Sequence, residues 1–291
     1  MSEEKTLTSV VSRIGDLPAM PEIVGKVMEL TSDPNVSVSE VTRVIEKDPA
    51  LAAKLLKVSN SSYYGMRQVV GTLKLALVIL GVREVRNIVL AVSVLDTLKD
   101  GPTDVLLNQH GLWRHSTLVA GVAKKIGMHA QLSLQGEDFV AGLLHDIGKM
   151  VLWRQLEQEY RELYLRAKRD NKPLHEMERE AYGFDHADVA AALASAWNLP
   201  DSLRSALLNH HDGPGRDVGA TKSPRLTALV RIANCAAHDD WSKESPEDLR
   251  SCTEKSWKHL ESADKKYGLN ERRDLLSEFI QSIEEAGALA F

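Results

Sequence analysis

Cysteine is nearly absent from this chain. Cys235 and Cys252 are the two present, far from any CxxC spacing, so neither a disulfide framework nor a thiolate zinc site is expected. Aromatic residues are scarce at 5%, and runs that alternate apolar and polar residues are rare, which removes the usual mark of a half-buried sheet. The longest apolar stretches, around Leu75 to Leu80 and Ile88 to Leu95, fall short of the roughly 20 residues needed to span a bilayer. The opening Met1-Ser-Glu-Glu-Lys5 has neither the basic stretch nor the apolar core of a secretory signal. These absences predict a cytoplasmic chain with no membrane partner. Positive charge is not in surplus either: a net charge of −5 and a pI near 6.1 argue against a nucleic-acid partner bound through many phosphates.

What is present is enough for one large core or two packed halves: 291 residues, 43% of them hydrophobic and 26% charged. Apolar residues recur nearly everywhere at helical spacing, so the fold class expected is all-α, a multi-helix bundle. Ser37-Val-Ser-Glu40 has capping-box form ahead of Val41, Val44 and Ile45. Asp48-Pro49 opens a helix carrying Leu51, Leu55, Leu56 and Val58, which ends near Ser59-Asn60-Ser61-Ser62. Two more helices are predicted from about Thr72 to Leu80 and from Val82 to Leu98, broken at Gly81. Asp100-Gly-Pro-Thr-Asp104 interrupts any helix and divides an N-terminal helical subdomain, 1–100, from a second bundle, 101–240. Longer helices are expected there near 106–126, 137–170, 185–197, 201–211 and 224–239, with covering helices over 241–291.

The pair His145-Asp146 lies in an apolar frame between Leu144 and Ile147, where an unpaired charge is expensive to bury and a metal ion would relieve the cost. Lys149, one turn on, shares their face and is placed to meet an anion at such a metal, although a solvated lysine fits the same spacing. His115 belongs to the stripe Leu112, Val119, Val122, Ile126 and should point inward. His210 and His211 share a face with Leu203, Ala206 and Leu207; His186 opens a helix behind an Asp185 cap; and Asn234 sits in a stripe with Val230 and Ala237. A single inward histidine is commonly a neutral core residue bonded to a carbonyl, whereas two buried side by side need acceptors or a shared metal. Together, five histidines, one aspartate and one asparagine from several helices form the kind of donor set with which bundles hold one or two transition metals. His110, His129, His175, His238 and His259 occupy polar or terminal positions and are assigned no site.

His145-Asp146-Ile-Gly-Lys149, preceded by His115 and followed by His186, His210-His211 and Asn234, resembles the HD superfamily of metal-dependent phosphohydrolases, in particular its HD-GYP branch. Leu17-Pro18-Ala-Met-Pro21, Asp48-Pro49-Ala-Leu51 with Leu55-Leu56, Ser59-Asn60-Ser61 with Tyr64-Gly65, and Ala76 with Leu80-Gly81 narrow the resemblance to the HDOD domain, the HD-related output domain of bacterial signalling proteins, over roughly residues 10 to 215. The resemblance implies an HD-domain-like helical fold. It also implies that His115, His145, Asp146 and Asn234 hold one divalent metal, with Asp146 bridging to a second held by His186, His210 and His211. Iron, manganese, nickel and zinc all suit such donors. Lys149 would stand near a substrate phosphate.

Two departures from the enzymes matter. Asn234 stands where active HD enzymes carry aspartate, and no Gly-Tyr-Pro element follows His210-His211; Gly111, a turn before His115, adds no further carboxylate. Both point away from cleavage of cyclic di-GMP. The reading favoured is a signal-transduction module whose core retains a metal or binds a nucleotide or phosphorylated small ligand and acts on a signalling protein partner. The other reading is a metal-dependent phosphohydrolase acting on a nucleotide or phosphodiester, with Asp146 and Lys149 as catalytic residues and Lys149 stabilising the anionic transition state.

Overall fold

A computed structural model of the chain describes residues 19–61, 64, 66, 68–99, 109–212, 216–237, 253–261 and 268–285. Every regular element among them is helical, as the periodicity predicts. The expected linker Asp100–Asp104, the Leu17-Pro18 pair, Gly65 and the stretch 213–215 lie outside the described residues.

Among the described residues the first five helices are α1 (Glu22–Leu30), α2 (Val38–Ile45), α3 (Pro49–Ser59), α4 (Leu73–Leu80) and α5 (Val82–Lys99). Their ends follow from local chemistry. The Ser37 hydroxyl accepts from the Glu40 amide at 3.2 Å while the Glu40 carboxylate accepts from the Ser37 amide at 3.0 Å, closing the capping box. Asp48 accepts from the Leu51 amide at 3.0 Å, with Pro49 in the first turn where its missing N–H costs nothing. Gly81, at φ 87°, turns the chain out of α4 through a region that residues with a Cβ rarely enter.

Asn60 ends α3 and also fastens the loop that follows. Its Nδ2 donates to the Val70 carbonyl at 2.9 Å, and its Oδ1 accepts from the Val70 amide at 2.7 Å. Asn60→Ala strands both backbone groups of a buried residue, so a loss of about 2 kcal/mol is expected. Thermal unfolding of the variant against the wild type measures it, and an unchanged melting temperature would show that water replaces the clamp.

The second set comprises α6 (Gln109–His129), α7 (Glu137–Leu144), α8 (Ile147–Arg169), α9 (Leu174–Tyr182), α10 (His186–Ala196), α11 (Asp201–Leu208), a 3-10 turn (Val218–Ala220), α12 (Pro224–Ala236) and α13 (Leu269–Glu285). The single helix expected over 137–170 is in fact two: the chain leaves helical geometry at Asp146 (φ −96°, ψ 8°), which turns that carboxylate inward between α7 and α8. Helix α9 was not foreseen, because Leu174 and Met177 are the few apolar residues in a charged stretch and give almost no period.

One apolar cluster runs from Val24, Ile45 and Leu55 through Ile88 and Leu144 to Leu193 and Val230. A second joins Val119, Val122 and Ile126 of α6 to Leu229 and Ile232 of α12, with Trp257, Leu276 and Ile280 packed over them. At the heart of the bundle α7 lies hard against α6. A Cβ on Gly142 would stand 2.6 Å from Ala120 Cα, so the glycine sets the closeness of the two helices that carry His145 and His115.

Candidate metal centre

Five helix ends and faces meet at Asp146. His115 comes from α6, His145 and Asp146 from the junction of α7 and α8, His186 from the first residue of α10, His210 and His211 from the end of α11, and Asn234 from α12. His145, Asp146, His186 and His210 are 0%, 1%, 1% and 2% exposed. The convergence required by the sequence reading is therefore met: the carboxylate lies 3.3 Å from His145 Nε2, 3.6 Å from His115 Nε2, 3.2 Å from His186 Nε2 and 3.7 Å from His210 Nε2. Two overlapping donor groups result, Asp146 with His186, His210 and His211, and Asp146 with His115 and His145. Lys149 reaches back one turn to Asp146 Oδ2 at 2.6 Å, and Asn234 Oδ1 lies 3.0 Å from His115 Nε2.

The fit to a metal is tested by the far nitrogens. His145 Nδ1 bonds to the Gly142 carbonyl and His210 Nδ1 to the Leu207 carbonyl, each at 2.7 Å, and His186 Nδ1 meets the Glu178 carboxylate at 2.6 Å. In a neutral ring a proton held on Nδ1 by an acceptor leaves Nε2 as the lone-pair side, and all three Nε2 atoms face Asp146. His145 Nε2, His210 Nε2 and Asp146 Oδ1 are buried with no hydrogen-bond partner. Buried polar atoms left unpaired cost about 1–3 kcal/mol each, and a divalent cation would satisfy such atoms; Asp146 Oδ1 and His210 Nε2 belong to the first donor group and His145 Nε2 to the second. The residues fit such an ion.

Electrostatics sharpen this. Burial would raise the Asp146 carboxyl, but the neighbouring His145 ring and Lys149 ammonium outweigh it and hold the group well below the usual range. At His186 burial disfavours the cation, yet the Glu178 carboxylate and Asp146 overcome it and push the imidazole up to about 9. Burial keeps His210 and His211 well below theirs, so both stay neutral donors. His186 Nε2 and His211 Nε2 lie 2.8 Å apart, so one donates to the other, and an ion seated between them would take the place of that proton.

Several supporting residues escaped the sequence reading. Glu178, fully buried on α9, binds both the backbone N–H and Nδ1 of His186 and is itself bonded by the Tyr160 hydroxyl. Its one trace in the sequence is a carboxylate beside Met177 and four residues after Leu174, a core position in a polar helix. His175, which was assigned no site, stacks on His211 with ring centroids 4.1 Å apart, and burial takes it down to about 4. Arg216 bonds Asp185 at 2.9 Å and Asp188 at 3.1 Å, bracing the cap that starts α10 at His186. Arg231 ties the Asn209, His211 and Arg216 carbonyls together at 2.6, 2.7 and 2.6 Å, fixing the turn that carries the histidine pair.

The fold is shared with known proteins. A Treponema pallidum protein of uncharacterised role is 28% identical over 212 residues, a match spanning 72% of this chain and 40% of that longer protein. The crystal structure of a Geobacter sulfurreducens HDOD domain protein of unknown function superposes with a TM-score of 0.77 at 24% identity, covering 98% of this chain and 97% of the other. A Shewanella amazonensis protein, provisionally named a phosphohydrolase, gives a TM-score of 0.73 at 22% identity over 97% and 98%. No helix among the described residues is long and apolar enough to cross a membrane. The HDOD family model matches residues 17–213, well over half the chain, and with the buried histidine–aspartate cluster in place this chain belongs to the HDOD domain family.

Proposed function

We propose that the chain is a signal-transduction output module of bacterial type whose helical core binds a divalent metal and presents a metal-dependent state to a protein partner. The observation that carries the metal half of this reading is the set of three buried, unpartnered atoms, Asp146 Oδ1, His145 Nε2 and His210 Nε2, in one cluster. The regulatory half is supported by the neutral Asn234 amide, which brings no second carboxylate, and by the enclosure of the donors, with the partly buried His211 and with Lys149 and His115, 21% and 18% exposed at the side chain, at the rim. A bulky phosphodiester reaches such a centre poorly, whereas a bound ion still fixes the relative positions of α8, α10 and α11. Iron, manganese, nickel and zinc are all compatible with imidazole and carboxylate donors.

The second reading, a phosphohydrolase acting on a nucleotide or phosphodiester, draws on the donor set, on Lys149 beside Asp146 and on the provisional name of the Shewanella protein. A divalent ion bound there would act as a Lewis acid on a phosphoryl oxygen. Lys149 would hold a non-bridging phosphate oxygen, and Glu178 would fix His186. Metal analysis of protein purified without chelator, followed by assays with manganese or iron on a chromogenic phosphodiester, cyclic dinucleotides and nucleotides, separates the two. Bound metal without turnover is the expected result. Turnover that disappears in Lys149→Ala, with metal content and fold intact, would establish the hydrolase instead.

A further inference from the structure

We propose that this centre holds a single divalent ion, seated between Asp146, His186, His210 and His211, and that the half around His115 and Asn234 is closed to a second. The inference rests on the metal-binding reading above and fixes the number and place of the ions.

The two oxygens of Asp146 have different surroundings. Oδ1 faces His186 Nε2 at 3.2 Å and His210 Nε2 at 3.7 Å and has no hydrogen-bond partner. Oδ2 already takes the Lys149 ammonium at 2.6 Å, with His145 Nε2 at 3.3 Å and His115 Nε2 at 3.6 Å. On the Oδ1 side an oxygen and the His210 nitrogen are unpartnered, and His186 and His211, whose Nε2 atoms lie 2.8 Å apart, complete a four-donor group. On the Oδ2 side the place beside the carboxylate is filled by a cation the chain supplies itself.

His115 is committed as well. Its Nε2 lies 3.0 Å from Asn234 Oδ1, and its Nδ1 lies 3.4 Å from the Ala237 carbonyl. Whichever way the amide is turned, the bond to Asn234 engages the Nε2 proton or its lone pair. A carboxylate at 234 would accept from a histidine and still have oxygens for a metal, whereas the amide has one carbonyl oxygen and no charge. His145 Nε2 is the one unpartnered donor this half offers.

Charge points the same way. The Oδ1 half has Asp146 in front and Glu178 behind His186, two carboxylates for one dication. The Oδ2 half shares Asp146 with Lys149 and gains nothing from Asn234. A second dication there would meet both the first ion and the ammonium with no carboxylate of its own, and repulsion scales with the product of the charges.

The test uses the whole chain loaded with Mn2+, dialysed, and read by elemental analysis and electron paramagnetic resonance, with circular dichroism confirming the fold of each variant. One Mn2+ per wild-type chain with an uncoupled six-line spectrum is expected, and His115→Ala should keep it. His210→Ala should lose it, and Asn234→Asp should raise the count towards two with a spin-coupled spectrum. Two ions in the wild type, or loss of the ion in a folded His115→Ala, would overturn the proposal while leaving the metal-binding reading in place. A count that stays at one in Asn234→Asp would also overturn it, since the amide would then not be what closes the second half. A wild type that binds no Mn2+ would sink both.

Discussion

Asp146→Ala should abolish metal binding and, in chelator near pH 6, lower the melting temperature by roughly 10 °C, the loss expected when one partner is cut from a buried ion pair in a chain of this size. The carboxylate is the one group in contact with both halves of the cluster, and without it Lys149 loses its ion pair and His186 keeps Glu178 alone. The pH dependence has a defined sign. Asp146 is held below its unfolded value, so its stabilisation is complete above the ordinary aspartate range and fades as pH falls through the folded value. His186 is raised from 6.5 to about 9, so its stabilisation is complete below 6.5 and fades as pH rises through about 9. The gap between wild type and variant is therefore widest at about pH 5 to 6 and narrows on both sides. Calorimetric melts in chelator across pH 3 to 10 measure it. A gap that stays constant with pH would mean that the loss is one of packing and not of charge.

The helical class and the inward direction of the site residues were legible because both are periodic properties. Leu112, His115, Val119 and Val122 repeat at three and four, and that spacing alone turns His115 towards the core; the same holds for His210 after Leu203 and Leu207. Caps were legible for a different reason: Ser37 with Glu40, and Asp48 with Pro49, act through bonds to residues three positions away, so the whole cause lies within one short window. What escaped acts at a distance or runs against a pattern. The break at Asp146 interrupts a continuous apolar period, and nothing within 137–170 announces that the carboxylate prefers the company of α10 and α11 to another helical turn. Glu178 reads as one more charge on a charged helix until the fold places it behind His186. Arg216 and Arg231 look like solvated side chains, yet both are buried, Arg216 bonded to the α10 cap and Arg231 to backbone carbonyls.

Gly148→Ala is expected to damage the same centre without touching any donor. Gly148 lies in the first turn of α8, where it faces the start of α10. A Cβ there would overlap the carbonyl oxygen of His186 and stand 2.8 Å from its carbonyl carbon and 3.0 Å from its Cα. These are backbone atoms, fixed by the Asp185 cap and its arginines, so the strain cannot be relieved by turning a side chain. Alanine within a helix normally gains about 1 kcal/mol over glycine, and Gly25 in α1, whose nearest neighbour to an added Cβ is the Met20 sulfur at 3.9 Å, supplies the control. Overpacking of a rigid contact costs roughly 1–3 kcal/mol and occasionally more, enough to reverse that gain. The lower-energy response is for α8 to move away from α10, which separates Asp146 from His186 across the line the ion must occupy. Gly25→Ala should therefore raise the melting temperature and leave metal content unchanged, while Gly148→Ala lowers both. If Gly148→Ala retained a full complement of metal at wild-type stability, α8 and α10 would have to be free to part without disturbing Asp146, and the centre would not depend on their contact.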